Sequence, residues 1–234
     1  MRQINKPKRK LDGGFSILEL VAVLTISTII FAAIYVVLSM WSLRFQQLSQ
    51  IARLQDEAYD CMMKIKHGLV IKQDNNPSRQ FLGLLNANSL AVSGNSVTYQ
   101  TMGGGYVSGY TGLTFKPPRN HPTQSNNDEI KISLNNRSVM YDGLVFGIDS
   151  NQSRNVPLFP DEHSARTGKM FVEDLVFAVT DDIINHDEQD LKVVRVIIKA
   201  GIKLSDGPRD IFQPYPDPYF VEYETIIAIE QGVQ

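Results

Sequence analysis

The stretch GGFSILELVAVLTIST, residues 13 to 28, places one acidic residue, Glu19, at the start of an apolar run. From Leu20 to Leu43 the sequence holds 24 residues without a charge. As an α-helix these residues would extend roughly 36 Å at about 1.5 Å per residue, which is enough to cross a bilayer core of about 30 Å. Polar groups at membrane depth are costly and usually functional, so the position of Glu19 needs an explanation.

The charges of the chain are distributed unevenly around this apolar run. Residues 1–14 contain five bases and one acid, so that 18 of the 23 bases and 24 of the 25 acids remain, a net charge of −6 for the rest of the chain. The basic N-terminal segment predicts a cytoplasmic N-terminus by the positive-inside rule, with the bulk of the chain on the other side of the membrane. The acidic remainder argues against nucleic acid as a partner, because phosphate binding needs a basic surface.

Three kinds of N-terminal segment compete to explain the apolar run. A cleaved secretory signal has a shorter apolar core and a small-residue cleavage site after it, and no Ala-x-Ala follows the run before Arg44. A plain signal anchor fits the length but explains neither the paired glycines Gly13 and Gly14 nor Glu19. The third kind explains both. KRKLDGG followed by FSILE resembles the class III leader of type IV prepilins and pseudopilins, with a basic leader, a glycine, an aromatic residue and a glutamate at the fifth mature position.

This resemblance implies roles for three residues. Prepilin peptidase would cut after Gly14 on the cytoplasmic side, and Phe15 would become the N-methylated N-terminus. Glycine suits such a cut because it lets an extended backbone approach a protease closely. The carboxylate of Glu19 would neutralise the new amine of Phe15 in the same or an adjacent subunit, which removes the cost of two isolated charges in a low dielectric. A simpler interpretation of Glu19 stays open, in which its side chain extends to the membrane interface.

The resemblance also implies a location and a set of partners. The chain would cross the inner membrane once, with its globular domain periplasmic or extracellular, and would then enter a filament. Its partners would be the prepilin peptidase, membrane lipid before assembly, the inner-membrane assembly platform, and other minor and major pilins or pseudopilins. Major pilins usually carry a proline in the apolar half of this helix. None occurs around Val36, which weakens an assignment as a major pilin and leaves the assignment as a minor subunit unaffected.

The apolar run continues into an amphipathic segment. Apolar residues recur at steps of three and four at positions 51, 54, 58, 61, 65 and 69. No proline occurs between Phe15 and Asn76, so we expect one helix from about Phe15 to about Gln73. Its first half, residues 15–43, would lie in lipid or in a filament core. Its second half, residues 44–73, would pack on a sheet.

The sequence pattern of residues 74–234 predicts a β-rich globular domain. KMFVEDLVFAVTDD, DLKVVRVIIKAGIKL, FVEYETIIAIEQG and NSVTYQT are typical of strands, and EIKISLNNRSVMYDG predicts a hairpin that turns at Asn135 and Asn136. MGGGYVSGYTG and KPPRNHPTQSNND are expected to be loops. The predicted class is α+β, a long N-terminal helix packed on an antiparallel sheet in a pilin-like fold. The order of the last strands also resembles the J-type minor pseudopilin of type II secretion and the W-type minor pilin.

Catalytic and metal-binding signals are weak. Cys61 is the only cysteine, so it forms no internal disulfide, and it lies six residues from His67, which is not one helical face. No catalytic residue is therefore assigned. A calcium ion is a weak candidate cofactor, and no other cofactor is expected. The acidic residues that could bind calcium lie between two predicted strands, and their spacing matches no established calcium loop. They are Asp181, Asp182, Asp187, Glu188 and Asp190.

Two function classes follow from these observations. The preferred one is a structural subunit without enzymatic activity, a minor pilin or pseudopilin at or near the tip of a type II secretion pseudopilus or a type IV pilus; a DNA-uptake pseudopilus is a further alternative. The rival is a membrane-anchored extracytoplasmic enzyme or receptor whose leader matches a prepilin leader by chance. An enzyme needs polar residues that converge in a pocket, and the sequence contains no nucleophile–base pair, metal-ligand spacing or phosphate loop.

Overall fold

A computed structural model describes residues 16–73, 76–116, 129–144, 153–160, 169–182, 191–204 and 215–230. The chain divides into two compact units, residues 1–46 and residues 47–234. The helix α1 (Ile17–His67) begins in the first unit and ends in the second. In the second unit the end of α1 packs against an antiparallel sheet, so the α+β class expected from the sequence is confirmed at this level.

Helix α1 ends earlier than the sequence pattern predicts. The expected end near Gln73 is wrong, because α1 stops at His67 and the next six residues form strand β1 (Gly68–Gln73). Gly68 has a φ of 81°, a left-handed conformation that glycine adopts without steric cost and that is common just past a helix C-terminus. Strand β1 pairs with β2 (Asn76–Leu82) in a two-stranded antiparallel sheet.

The main sheet has eight antiparallel strands in the described part of the chain. They follow a 3₁₀ turn (Leu84–Asn86) and are, in chain order, β3 (Ser89–Gln100), β4 (Tyr106–Lys116), β5 (Ile130–Asn135), β6 (Ser138–Leu144), β7 (Ser153–Phe159), β8 (Met170–Asp182), β9 (Leu191–Ile202) and β10 (Tyr219–Glu230). The order across the sheet is β10–β9–β8–β4–β5–β6–β7, and β3 pairs with β4 outside this path. The three long C-terminal strands predicted from the sequence are confirmed as β8, β9 and β10.

The amphipathic stripe of α1 forms one wall of the core. Its predicted members at 51, 54, 58, 61 and 65 are all buried, together with Met62. They belong to one apolar cluster with the inner face of the sheet. Tyr59 of α1 also meets Tyr223 of β10, with ring centroids 6.1 Å apart. Leu69, assigned to the same stripe, lies instead in β1.

Strand β9 is buried on both faces, which explains its nearly continuous apolar sequence. Val194, Val196 and Ile198 are fully buried in the cluster that contains α1. Ile197 points the other way and is fully buried in a second cluster with Tyr99 of β3 and neighbouring residues of β4 and β8. The interruption of the alternating pattern at Ile197 therefore marks a second covered face.

The β3–β4 hairpin covers this second face, and it corrects one expectation. The stretch MGGGYVSGYTG was expected to be a loop, but only its first residues turn the chain, and Tyr106–Lys116 is strand β4. Gly109 permits β4 to cross β8 closely, since a Cβ there would lie 2.6 Å from the carbonyl oxygen of Phe177. Glu222 of β10 fixes the tip of the hairpin, accepting hydrogen bonds from the Tyr99 hydroxyl and from the backbone N–H of Met102 at 2.9 Å.

The β5–β6 hairpin was predicted with its turn one residue too early. The two turn residues are Asn136 and Arg137, with φ angles of 47° and 62°. Asn135 is the last residue of β5 and pairs with Ser138. Arg137 is an unusual residue for a left-handed position, which is why the sequence pointed to the two asparagines instead. The predicted loop KPPRNHPTQSNND cannot be compared with the structure beyond its first residue, because residues 117–128 lie outside the described residues.

The contact between α1 and the sheet predicts a large effect at Leu54, which is fully buried. We expect Leu54→Ala to lower the free energy of unfolding of the second unit by about 2–5 kcal/mol, because it removes apolar contacts and leaves a cavity. The neighbouring exposed residue supplies a matched control, and Gln55→Ala should change stability by less than about 0.5 kcal/mol. Urea unfolding of the detergent-solubilised protein measures both, and equal effects would contradict the packing of this stripe.

Candidate functional site

The first unit exposes an unusually apolar helical surface. Ile17, Phe31, Trp41 and Phe45 are 85%, 70%, 72% and 74% exposed. In the most apolar 18-residue window of α1 none of the residues is buried, and the helix is long and apolar enough to cross a membrane. An apolar surface of this kind is typical of a helix that lies in lipid or against other apolar helices. It is compatible with a single-pass membrane anchor.

Three hydroxyl groups in the apolar part of this helix are paired within the helix itself. Thr25 donates to the carbonyl oxygen of Val21 at 2.8 Å, and Thr28 donates to that of Leu24 at 2.7 Å. Ser39 donates to the carbonyl oxygen of Val36 at 2.8 Å. A polar group without a partner costs several kcal/mol in hydrocarbon, and these bonds avoid that cost without help from another chain.

Glu19 caps the start of α1. Its Oε2 atom accepts a hydrogen bond from the backbone N–H of Ser16 at 3.0 Å, and the hydroxyl oxygen of Ser16 accepts one from the backbone N–H of Leu18 at 3.2 Å. The two bonds resemble a capping box, with Leu18 as the backbone donor to the serine hydroxyl, and they satisfy N–H groups at the helix start that have no partner within the helix. The acidic group also lies at the positive end of the helix dipole.

The capping box adds a role for Glu19 that the sequence interpretation missed. The signal was present, because Ser16 and Glu19 have the S-x-x-E spacing of a capping box. Of the predicted leader residues, Gly14 and Phe15 lie outside the described residues, so the contact expected between Glu19 and the Phe15 amine stays a prediction. Oε1 of Glu19 has no hydrogen bond among the residues that the structure describes.

Cys61 and His67 differ in solvent exposure and are also six residues apart in the sequence. Cys61 is fully buried, and burial raises the pKa of its thiol from 9.0 to about 12. His67 is exposed at the C-terminal end of α1. A thiol is a nucleophile only as the thiolate, so Cys61 is held in its unreactive form at neutral pH.

The weak calcium candidates are only partly described. Asp181 and Asp182 are the last residues of β8. Asp187, Glu188 and Asp190 lie in the stretch 183–190, outside the described residues. Within the part of the chain that the structure describes, no three His, Cys, Asp or Glu side chains are grouped as metal ligands would be. The calcium hypothesis is therefore untested.

Comparisons with known proteins give no family assignment. No protein-family model matches the chain, and comparisons with curated proteins and with solved structures find no significant match.

The buried thiol predicts a pH dependence of stability. Because its pKa is raised in the folded state, the folded protein holds the proton more tightly, so the stabilising contribution is complete below about pH 9 and is lost as pH rises towards 12. The free energy of unfolding should fall with pH across this range, and less steeply in Cys61→Ala. Tyr99 and Tyr141, whose pKa values burial also raises, are present in both proteins and cancel in the difference. Equal slopes would contradict the buried position of Cys61.

Proposed function

We propose that this chain is a minor pilin or pseudopilin, a structural subunit that waits in the inner membrane and then enters a filament. One observation carries the proposal. A basic leader that ends in Gly14 is followed by Phe15 and then by a helix whose uncharged residues are exposed from its first turn onward. A signal anchor accounts for the exposed helix but not for the glycine and the aromatic residue before it or for the glutamate in its first turn.

Maturation begins at the leader. Prepilin peptidase hydrolyses the peptide bond after Gly14, and the freed amine of Phe15 is N-methylated. Ser16 keeps its peptide N–H after this cut, so the hydrogen bond from Ser16 to Oε2 of Glu19 is retained in the mature chain. Cleavage therefore creates a positively charged amine at Phe15 and leaves the hydrogen bond between Ser16 and Glu19 intact.

Glu19 then has two tasks that use different atoms. Oε2 accepts the Ser16 N–H and caps the start of the helix, whereas Oε1 is the atom that pairs with the amine of Phe15. In the membrane the amine comes from the same chain or an adjacent one, and in the filament it comes from an adjacent subunit. Pairing is favourable because each charge would otherwise be isolated in a low dielectric.

The remainder of the protein serves as the extracytoplasmic head of the subunit, without enzymatic activity. Within the proposal its partners are the prepilin peptidase, the assembly platform of the inner membrane, and other minor and major subunits. The missing proline in the apolar half of α1 and the order of β8, β9 and β10 support a minor subunit of the J-type or W-type, at or near the tip of a type II secretion pseudopilus or a type IV pilus.

Purification from native membranes tests this function. Affinity isolation of the full chain after mild cross-linking should recover other proteins with a prepilin leader as the main partners. The matched control is Gly14→Trp, in which a bulky side chain blocks cleavage, so the protein should stay in the membrane and lose these partners. Recovery of the wild-type chain alone, or with the same proteins as Gly14→Trp, would favour a membrane-anchored enzyme or receptor.

A set of substitutions at Glu19 separates its charge from its capping role. Glu19→Gln keeps an oxygen that accepts the Ser16 N–H but loses the charge, so processing and membrane insertion should survive. Its incorporation into sheared filaments should fall at least about tenfold, since loss of one partner from a buried ion pair costs about 3–5 kcal/mol. Glu19→Asp should be intermediate, and Glu19→Leu should leave the mature subunit in the membrane.

Ser16→Ala is the control for this set. It removes the other half of the capping box, at a cost of about 0.5–2 kcal/mol to the helix start, and leaves the carboxylate in place. Near-normal incorporation of Ser16→Ala beside the failure of Glu19→Gln identifies charge as the requirement. If Ser16→Ala fails as strongly as Glu19→Gln, or if Glu19→Leu assembles like the wild type, the pairing role of Glu19 is wrong.

A further inference from the structure

A small basic pocket lies between the β5–β6 turn and the start of β8. Its volume is about 170 Å³. Its polar wall is formed by Asn136, Arg137, Ser138 and Lys203, and its apolar wall includes Pro160 and Phe171. Arg137 and Lys203 give the pocket two positive charges, and no acidic residue lines it among the residues that the structure describes.

The backbone holds Arg137 in this pocket at a conformational cost. Arg137 has a φ of 62°, in the left-handed region where a β-carbon is crowded and where glycine or asparagine is usual. Its carbonyl oxygen accepts a hydrogen bond from the N–H of Val172 at 2.7 Å, which ties the turn to β8. A strained residue that the surrounding structure maintains is a recurrent feature of binding sites.

The side chain of Arg137 rests on a rigid aromatic support. Its guanidinium carbon lies 5.0 Å from the centre of the Phe171 ring, within the range of a cation–π contact. Phe171 is 6% exposed and meets Phe220 edge-to-face at 5.9 Å. Gly201 leaves space for these rings, because a Cβ there would lie 2.6 Å from Phe171. The guanidinium therefore lies against a buried aromatic ring.

Among the residues that the structure describes, the two cations of the pocket have no partner: neither the guanidinium of Arg137 nor the ammonium of Lys203 takes part in a hydrogen bond or an ion pair there. Arg195 of the same sheet, by contrast, is paired with Glu224 through two bonds at 2.7 and 2.8 Å. Arg137 is thus in a left-handed conformation, lies against Phe171, and has no acidic partner among the described residues.

We propose that this pocket binds the carboxylate of an acidic side chain that a partner protein presents. A guanidinium offers parallel N–H donors that match the two oxygens of a carboxylate, and charge-assisted bonds of this kind are about twice as strong as neutral ones. The Lys203 ammonium, the Asn136 amide and the Ser138 hydroxyl supply further donors around the same space.

The lining of the pocket favours a carboxylate on a short apolar stem over a bare phosphate. Pro160, Met170 and Phe171 also line the pocket, and their side chains offer no donor groups. These apolar side chains suit the methylene groups of a glutamate, which a bare phosphate lacks. The inference goes beyond the proposed function, because the pocket binds such a group whether or not the chain enters a filament.

Titration of the full-length protein in neutral detergent micelles tests the proposal. The probe is the α-amide of N-acetyl-glutamate, which carries one carboxylate on a glutamate stem, and the neutral control probe is the same derivative of glutamine. Backbone amide resonances of selectively labelled Arg137 and Phe171 report binding. We expect saturable shifts with the glutamate probe at millimolar concentrations, weaker binding at higher salt, and no saturable shifts with the glutamine probe.

Variants identify the residues that bind. Arg137→Gln should weaken binding at least about tenfold, and Lys131→Gln, which removes an exposed charge outside the pocket, should change it less than about twofold. Arg137→Gly removes the guanidinium and also relieves the left-handed backbone, so it provides a folded variant with the same expected loss, read at Phe171.

Three outcomes would overturn the proposal. The first is a failure of the expected binding, seen either as no saturable shift with the glutamate probe or as equal weakening by Arg137→Gln and Lys131→Gln. The second is tighter binding of inorganic phosphate than of the carboxylate probe. The third concerns Asp161 and Glu162, which follow Pro160 in the sequence outside the described residues. If the probe binds only after Asp161→Asn and Glu162→Gln are introduced together, the chain itself supplies the acid and no partner is needed.

Discussion

The stretch from Leu20 to Leu43 has no charge, and as the exposed part of a helix it cannot be stable in water. Each apolar side chain left in water forgoes roughly 1.5–3 kcal/mol of burial free energy. The helix therefore requires an apolar environment, and a bilayer supplies one without any partner chain. The hydroxyl groups of Thr25 and Thr28 already bond to carbonyl oxygens of the same helix, so they would need no new partner between other apolar helices either.

The proposed function gives a role to the charge of Glu19 at the start of this apolar helix. A carboxylate at the start of an apolar helix is tolerated because Ser16 and the helix dipole stabilise it locally. Local stabilisation alone does not require a charged residue, since glutamine also completes a capping box. In the proposed function the charge serves the passage from lipid to filament, where it pairs with an amine that exists only after the leader is removed. The cap and the pair belong to the same side chain but use different oxygens.

The parts of the fold that depend on one dominant pattern could be predicted from the sequence. The stripe from Ile51 to Ile65 follows helical spacing, and the strands β8, β9 and β10 are long apolar runs, so both were predicted correctly. The errors arose where local conformation depends on contacts distant in sequence. The glycines of β4 suggest a loop in isolation, but Gly109 is required by the close approach of β8.

The site residues also differ in how far they could be predicted from the sequence. Glu19 was singled out because a charge beside a long apolar run is conspicuous, but its bond to Ser16 required attention to helix capping. Arg137 gave no signal in the sequence, because arginine is unusual in a two-residue turn and the asparagines beside it were the stronger candidates. Its importance depends on Phe171 and Lys203, which lie 34 and 66 positions further along the chain and are brought to it by the pairing of the sheet. Such a pocket becomes visible only in three dimensions.

The mass of the mature N-terminus tests the central claim most directly. The protein is isolated from its native membrane, digested, and its N-terminal peptide is identified by mass spectrometry. If the chain is a processed filament subunit, the peptide begins at Phe15 with one added methyl group on its amine, and residues 1–14 are absent. An intact Met1, or a new N-terminus beyond Leu38, would contradict the account.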